Sequence, residues 1–163
     1  MTAALRSPGR VNRLIVADIA PRAYAPAHDD LIDALVSLDL STCSTREEAE
    51  RCLDVPDPAV RQFLLTNLKR DDQGKLSWRV NLAVLRDQYP RMLEAAGGAS
   101  PYSGPALFIA GGSSRYILPE DEAQILTLFP RARITRIPGA GHWVHADQPD
   151  HFAREVEAFL SAP

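Results

Sequence analysis

Three short strand-like segments, separated by turn residues, constrain the fold of this chain more than any other feature. The first is Leu14–Ala17, the second lies within PALFIAGG at 105–112, and the third is ARITRIPG. The first two are apolar runs, typical of strands buried on both faces of a parallel sheet, and the third is a further strand. The last two each precede an amphipathic helix, in PEDEAQILTLFP and PDHFAREVEAFLSA. This alternation predicts an α/β fold with parallel strands, flanking helices and right-handed crossovers.

Residues 25–100 show a different pattern and interrupt that alternation. HDDLIDALVSLDL has apolar residues at helical spacing, and STREEAERCLD has a capping-box-like start at Ser44 or Thr45. DPAVRQFLLTNL begins with Asp57 as a predicted N-cap, and one or two further helices meet near Pro90. The sequence therefore predicts an all-helical insert with no strand, in which DDQGK is a turn.

Composition excludes several classes of function. The net charge is −3, and the 18 basic residues are scattered, which argues against a nucleic-acid surface. No apolar run is long enough to span a bilayer, and the amino-terminal residues are too weakly apolar for a signal peptide. Cys43 and Cys52 lie outside any metal-binding spacing, so we expect reduced structural thiols. These features predict a cytoplasmic protein with no cofactor, metal, nucleic-acid partner or membrane.

His142 is the leading candidate for a catalytic residue. It follows the third strand after residues 139–141, Gly-Ala-Gly, which allow a sharp turn at the sheet edge where open α/β sheets bind ligands. The ordinary pKa of histidine is close to neutral pH, as a general base requires. The alternative is a histidine that merely caps a turn. We expect His28, His145 and His151 to be solvated, with no third ligand available for a metal site.

Asp18 is the candidate acid, because it ends the first strand, where an unpaired carboxylate is costly. It either bonds the amides of the next loop or orients and stabilises the imidazolium of His142. Many hydrolases of this architecture keep their acid after the second strand. Ser113, Ser114 and Arg115 stand there instead, which favours Asp18.

No residue of the sequence is a convincing nucleophile. A Gly-x-Ser-x-Gly elbow places its serine on a strained turn between a strand and a helix. The nearest match, GGSSR at residues 111–115, has arginine where the last glycine should be and no helix directly after it. We expect a serine here to bond backbone or to line a pocket. Cys43 and Cys52, in the helical insert, are weaker candidates than Ser113.

Five segments together resemble the α/β-hydrolase superfamily: RVNRLIVADIAPRAY, VPDPAVRQFLLTNL, WRVNL, PALFIAGGSSRYI and IPGAGHWVHADQP. Within it they are similar to the small esterases of the YbfF and abhydrolase-domain-containing protein 11 group, over essentially the whole chain. The resemblance implies a Ser-Asp-His hydrolase of carboxylic esters or thioesters. It implies that Asp18 is the acid in the DIAP context and His142 the base in the GAGHWVHA context.

The same resemblance implies a domain organisation. Residues 1–24 and 101–163 correspond to the carboxy-terminal portion of the hydrolase core, and residues 25–100 to a helical cap over the active site. In this family the nucleophile lies in a GHSMGG-type elbow, shortly before a stretch like MTAALRSP, with which this sequence begins. The elbow, the oxyanion-hole loop and the first five strands would then precede Met1.

Two hypotheses follow, with a weaker third. The first is a hydrolase with its acid and base present and its serine missing, which acts on a small-molecule ester if a complete site forms. The second is an inactive, truncated remnant or a fragment that self-associates through its exposed sheet edge. The third, a dehalogenase or epoxide hydrolase, needs an aspartate nucleophile in the missing elbow and is disfavoured by the DIAP context. Under the first hypothesis, three aromatic residues line the acyl pocket or are simply core: Phe63, Trp78 and Trp143.

Overall fold

The computed structural model of the chain describes residues 1–162 and divides into two compact units. One comprises Met1–Ala23 with the residues from Ala95 onward, and the other is Tyr24–Glu94. The helices and strands, in chain order, are α1 (Thr2–Arg6), β1 (Leu14–Ala17), α2 (Asp29–Ser37), α3 (Arg46–Cys52), α4 (Pro58–Leu65), β2 (Leu68–Arg70), β3 (Leu76–Trp78), α5 (Leu82–Met92), β4 (Ala106–Gly111), α6 (Glu122–Leu128), β5 (Ala132–Ile137), α7 (Val144–Asp147) and α8 (Pro149–Ser161). Short 3₁₀ turns lie at Pro8–Arg10, Leu40–Thr42 and Pro119–Asp121.

A three-stranded parallel sheet, in the order β1-β4-β5, forms the centre of the first unit. Leu14 pairs with Ala106, and Ala106 pairs with Ala132 on its other side. The carboxyl ends of all three strands therefore lie at the same edge of the sheet. The parallel strands and their flanking helices confirm the α/β class predicted from the sequence.

Burial differs between the central strand and its neighbours. All six residues of β4 are buried, as the sequence predicted. The prediction that β1 is buried on both faces is wrong, because only Val16 of this strand is buried and Ala17 is exposed. Among the described residues β1 pairs with β4 alone, so it lacks the second neighbour that shields the central strand.

Helix α8 covers one face of the sheet. Its apolar residues Phe152, Val156 and Phe159 recur at helical spacing, and they pack with Leu107 and Ile109 of β4. The first residue of this helix is a proline, which has no amide hydrogen. This costs no hydrogen bond, because the amides of the first turn have no acceptor within the helix. The predicted closing helix is therefore confirmed.

The opposite face of β4 packs against aromatic rings, since successive side chains of a strand point to opposite sides. Phe108 lies with its ring centroid 5.2 Å from that of Phe129, and Tyr102 lies 6.2 Å from Phe129 at a steep angle. The Tyr102 hydroxyl donates to the Val11 carbonyl oxygen at 3.1 Å. Burial raises the pKa of Tyr102, because it disfavours the phenolate.

The second unit is mainly helical and has its own hydrophobic core, formed largely by residues of the helices and the segments that join them. Thr45 and Glu48 form the predicted capping box of α3, and Asp57 accepts from two amides as the N-cap of α4. Helix α5 continues through Pro90 and ends two residues later, so the proline lies in its last turn. That this unit is the cap of a hydrolase stays a prediction.

The prediction that residues 25–100 contain no strand is wrong. Strands β2 and β3 form an antiparallel hairpin in which Leu68 pairs with Trp78, and DDQGK is the turn between them. The Asp71 carboxylate accepts from the amides of Gln73 and Lys75, and Gly74 adopts a positive φ of 78°. Each strand has only three residues, too few for the alternation that reveals a strand in a sequence.

Backbone hydrogen bonds close each unit where the chain passes from one to the other. In the first unit the Ala96 amide donates to the Pro21 carbonyl oxygen at 2.8 Å, and in the second the Tyr24 amide donates to the Leu93 carbonyl oxygen at 2.9 Å. In each unit, a hydrogen bond therefore joins the segment that enters the unit to the segment that leaves it. Within residues 1–162, no helix has the length and apolarity needed to cross a membrane.

An ion pair between a half-buried arginine and a buried aspartate fixes the segment after the β4 loop. Arg22 Nε lies 3.0 Å from Asp121 Oδ1, and Asp121 Oδ2 accepts from the Leu118 amide at 2.8 Å. The same guanidinium donates to the Arg115 carbonyl oxygen at 3.3 Å. Asp121 is 5% exposed, so its partners replace the water that it loses on folding.

We expect Asp121→Ala to lower the free energy of unfolding by about 1–3 kcal/mol, because it removes the carboxylate that pairs with the half-buried Arg22 guanidinium and accepts from the Leu118 amide. Urea denaturation followed by circular dichroism measures this. Glu120→Ala is the matched control, since the neighbouring Glu120 is exposed in the same 3₁₀ turn. Equal unfolding midpoints for the two variants would contradict the expectation.

Candidate active site

The carboxyl ends of the three parallel strands bring together the two residues that the sequence singled out. Asp18 directly follows β1, and His142 follows β5 after a four-residue turn, 138–141. Their side chains meet, with His142 Nδ1 2.9 Å from Asp18 Oδ2. The residues are far apart in the chain, so the register of the sheet creates this contact.

Asp18 is completely buried, with no exposed surface. Its Oδ1 accepts from the Gly111 amide at 2.9 Å, and its Oδ2 accepts from the Ser114 hydroxyl as well as facing His142 Nδ1. Its own amide donates to the Ile109 carbonyl oxygen at 2.8 Å. Asp18 adopts a left-handed φ of 47°, a conformation that aspartate tolerates better than most residues and that turns the chain at the strand end.

The imidazole of His142 is oriented by two groups on different sides. The Asp18 carboxylate accepts from Nδ1, which places the proton of the neutral ring on Nδ1 and leaves Nε2 as the basic nitrogen. The phenol ring of Tyr116 stacks on the imidazole, with centroids 3.9 Å apart and an angle of 21° between the planes. The His142 side chain is 46% exposed, so the ring stays accessible to a reactant.

Glycines allow the loops around this pair to approach each other closely. A Cβ atom on Gly111 would lie 2.1 Å from the Gly141 carbonyl oxygen, a distance that no side chain could occupy. The Gly141 amide donates to Asp147 Oδ2 at 2.7 Å, and Gly139 adopts a positive φ of 75°. The Gly-Ala-Gly turn is thus held from both sides immediately before His142.

Ser114 and Tyr116 are residues of this site whose contacts the sequence did not reveal. We expected a serine of this loop to bond backbone or to line a pocket. Ser114 Oγ does accept from the Tyr116 amide at 3.2 Å, but it also donates to the Asp18 carboxylate. The available signal was the pair of hydroxyl residues at the point where many hydrolases keep their acid.

The remaining histidines take no part in the contact between Asp18 and His142. The His145 ring lies edge-on to Phe152 at 6.2 Å, and His151 Nε2 lies 4.0 Å from a Glu155 carboxylate oxygen. His145 and His28 are exposed. Within residues 1–162, no group of three or more histidine, cysteine or acidic side chains is placed to hold a metal ion.

The other candidates from the sequence lie in the second unit, apart from Trp143, which is partly buried next to His142. Cys43 is a buried free thiol in the hydrophobic core of that unit, and Cys52 is an exposed free thiol. Trp78 is partly buried against the same core, and Phe63 is 54% exposed on α4. A pocket-lining role for these aromatic residues stays a prediction.

Comparisons with known proteins give a consistent set of relatives, although no model of a protein family matches the chain. Over 169 residues it is 37% identical to the sn-1-specific diacylglycerol lipase ABHD11 of Mus musculus, covering 99% of this chain and 55% of that protein. It is 36% identical to the esterase YbfF of Escherichia coli over 155 residues, covering 93% of this chain and 59% of YbfF. The solved structure of a marine microorganism esterase superposes with a TM-score of 0.86 at 37% identity, covering 93% of this chain and 62% of that one. The chain thus spans about half the length of the curated relatives it matches.

We expect Gly111→Ala to lower the free energy of unfolding by about 1–3 kcal/mol, because the new methyl group forces the β4 loop away from Gly141. The same displacement would separate the Gly111 amide from Asp18. Gly97→Ala is the control, since a Cβ there meets no atom within 4 Å. Urea unfolding of both variants tests the expectation, and unchanged stability of Gly111→Ala would refute it.

Proposed function

We propose that this chain, which belongs to the α/β-hydrolase superfamily and to its esterase and lipase families, carries the acid and the base of a Ser-Asp-His hydrolase. The bond between the fully buried Asp18 carboxylate and His142 Nδ1 is the observation that carries the proposal. It gives the imidazole the orientation and the tautomer that a general base of this type needs. The substrate class that we propose is a small carboxylic ester or thioester.

In the proposed reaction, His142 Nε2 accepts the proton of a serine hydroxyl as the serine oxygen attacks the carbonyl carbon of the ester. Asp18 stabilises the imidazolium that forms. His142 then donates this proton to the departing alkoxide or thiolate, which leaves an acyl-enzyme. In the second half, His142 accepts a proton from water as the water oxygen attacks the acyl carbon, and it returns a proton to the serine.

The serine of that scheme has no candidate within the 163 residues. The sequence contains no Gly-x-Ser-x-Gly segment. Ser114 Oγ donates to Asp18, so this hydroxyl supports the acid and does not face Nε2 of the base. Ser113 is exposed, and its amide donates to the Ala140 carbonyl oxygen. We therefore propose that the nucleophile and the oxyanion hole come from outside these residues.

The setting that we propose for the enzyme follows from the composition and the free thiols. Both cysteines are unpaired, as is usual in the reducing cytoplasm, and the basic residues form no stripe for nucleic acid. We propose a cytoplasmic enzyme whose partner is a small-molecule ester, with no cofactor, metal, nucleic acid or membrane. In this proposal residues 25–100 act as its cap.

One observation favours the alternative of a catalytically inactive remnant or self-associating fragment. Among the described residues, β1 and β5 each form hydrogen-bonded pairs with β4 only, so both edges of the sheet are unpaired. An unpaired edge is a template for pairing with a second copy. Size-exclusion chromatography with light scattering distinguishes the two, since a stable soluble monomer would argue against self-association.

The function is tested in a chimera in which this chain replaces the aligned part of the YbfF esterase, with p-nitrophenyl acetate as substrate. We expect hydrolysis by the chimera, and a loss of about 10³–10⁴-fold or more in kcat with His142→Ala or Asp18→Asn. His145→Ala is the matched control, because this exposed imidazole lies three residues from His142 and outside the pair. Full activity of the His142→Ala chimera would refute the proposed base.

The chain by itself should hydrolyse the same ester hardly faster than buffer does, because the attacking serine is missing. A fluorophosphonate probe, which labels activated serines, should likewise leave it unlabelled. Clear turnover by the isolated chain that disappears in His142→Ala would show that a nucleophile lies within these residues after all.

A further inference from the structure

Tyr116 stacks directly on the imidazole of His142. The rings lie face to face, with centroids 3.9 Å apart and planes 21° from parallel. Tyr116 belongs to the loop after β4, whereas His142 belongs to the turn after β5. The stack therefore joins the loop that binds the acid to the turn that presents the base.

A single hydrogen bond does not fix an imidazole. The bond from Nδ1 to Asp18 fixes one edge of the ring, but the plane can still tilt about that bond. The Tyr116 ring covers one face and removes this freedom. The His142 side chain remains 46% exposed, so the stack does not enclose the ring. Carboxylate and phenol thus restrain different motions of the same ring.

The stack with Tyr116 also favours a positive charge on the imidazole of His142. An aromatic face carries negative electrostatic potential and attracts a cation within about 6 Å of its centroid. The imidazolium formed when His142 accepts a proton is such a cation, at 3.9 Å. Asp18 attracts it through the ring edge and Tyr116 through the ring face. Both contacts are stronger for the protonated ring than for the neutral one.

We propose that Tyr116 is a positioning residue for His142, which fixes the plane of the imidazole and stabilises its protonated form. This deepens the proposed function and rests on His142 as its base. Ser114 supports the arrangement, since its hydroxyl oxygen accepts from the Tyr116 amide and its hydroxyl donates to Asp18. Ser114 therefore contacts both residues that restrain the imidazole, Asp18 and Tyr116.

The charged groups that bind the chain next to His142 and next to Tyr116 have partners of their own. The Asp147 carboxylate accepts from the Gly141 amide, next to His142 in the chain. The Arg22 guanidinium pairs with Asp121 and donates to the carbonyl oxygen of Arg115, next to Tyr116. Replacing Tyr116 by an uncharged residue leaves all of these groups in place, so a change in His142 would report the loss of the ring.

The test is a pH titration of the ¹⁵N-labelled chain, with long-range ¹H–¹⁵N correlations of the imidazoles. In Tyr116→Leu and Tyr116→Met we expect the proton affinity of His142 to fall about two- to fivefold, with a smaller share of the Nδ1–H tautomer. Tyr116→Phe retains the ring and should keep both properties. The signals of His145 and His151 serve as internal controls for the fold and should not move.

A second measurement needs no variant. Tyr116 and His142 ring protons should show mutual nuclear Overhauser effects, and the phenol should shift the His142 ring protons upfield. Missing Overhauser effects, an unchanged His142 titration in folded Tyr116→Leu, or an equal loss in Tyr116→Phe would each overturn the proposal. Neither measurement depends on turnover. An inactive YbfF chimera would therefore count against the proposed function, whereas the NMR data alone decide whether Tyr116 positions His142.

Discussion

A carboxylate that folds into the protein interior loses its water, and the free energy of that loss must be offset by donors around it. Asp18 meets this condition with a backbone amide from the end of β4, a hydroxyl from the following loop and the imidazole of His142. These donors come from the last residue of β4, from the loop after it and from the turn after β5. The carboxylate is therefore satisfied only when the three strands pair in register, which couples the formation of the site to the formation of the sheet.

The loop after β4 contributes more to this pair than its lack of a carboxylate suggested. Gly111 offers its amide to Asp18, and the absence of a side chain there lets the turn before His142 come close. Ser114 binds the acid, and Tyr116 stacks on the imidazole. The loop in which many hydrolases keep their acid here supplies groups that hold an acid from the neighbouring strand.

Sequence reasoning succeeded where a local pattern reports a local structure. The short apolar strands, N-caps such as Asp57, and a histidine after Gly-Ala-Gly could each be recognised directly, and Asp18 followed as the partner of that histidine. It failed where a contact depends on packing between distant segments. The three-residue strands of the hairpin are too short for a period, and the burial of β1 depends on how many strands flank it. Nothing in the spacing of Ser114 and Tyr116 shows that one bonds Asp18 and the other stacks on His142.

The paired backbone bonds at the unit boundary bear on how such a chain changes over evolution. Pro21 and Ala96 are bonded in the unit that holds Asp18 and His142, whatever number of residues lies between them. The entropy of closing a loop grows only with the logarithm of its length, so doubling an insert costs about 0.6 kcal/mol. Segments between these two positions can lengthen, shorten or be exchanged at little thermodynamic cost. The unit that holds Asp18 and His142 and the segment inserted into it can therefore diverge at separate rates.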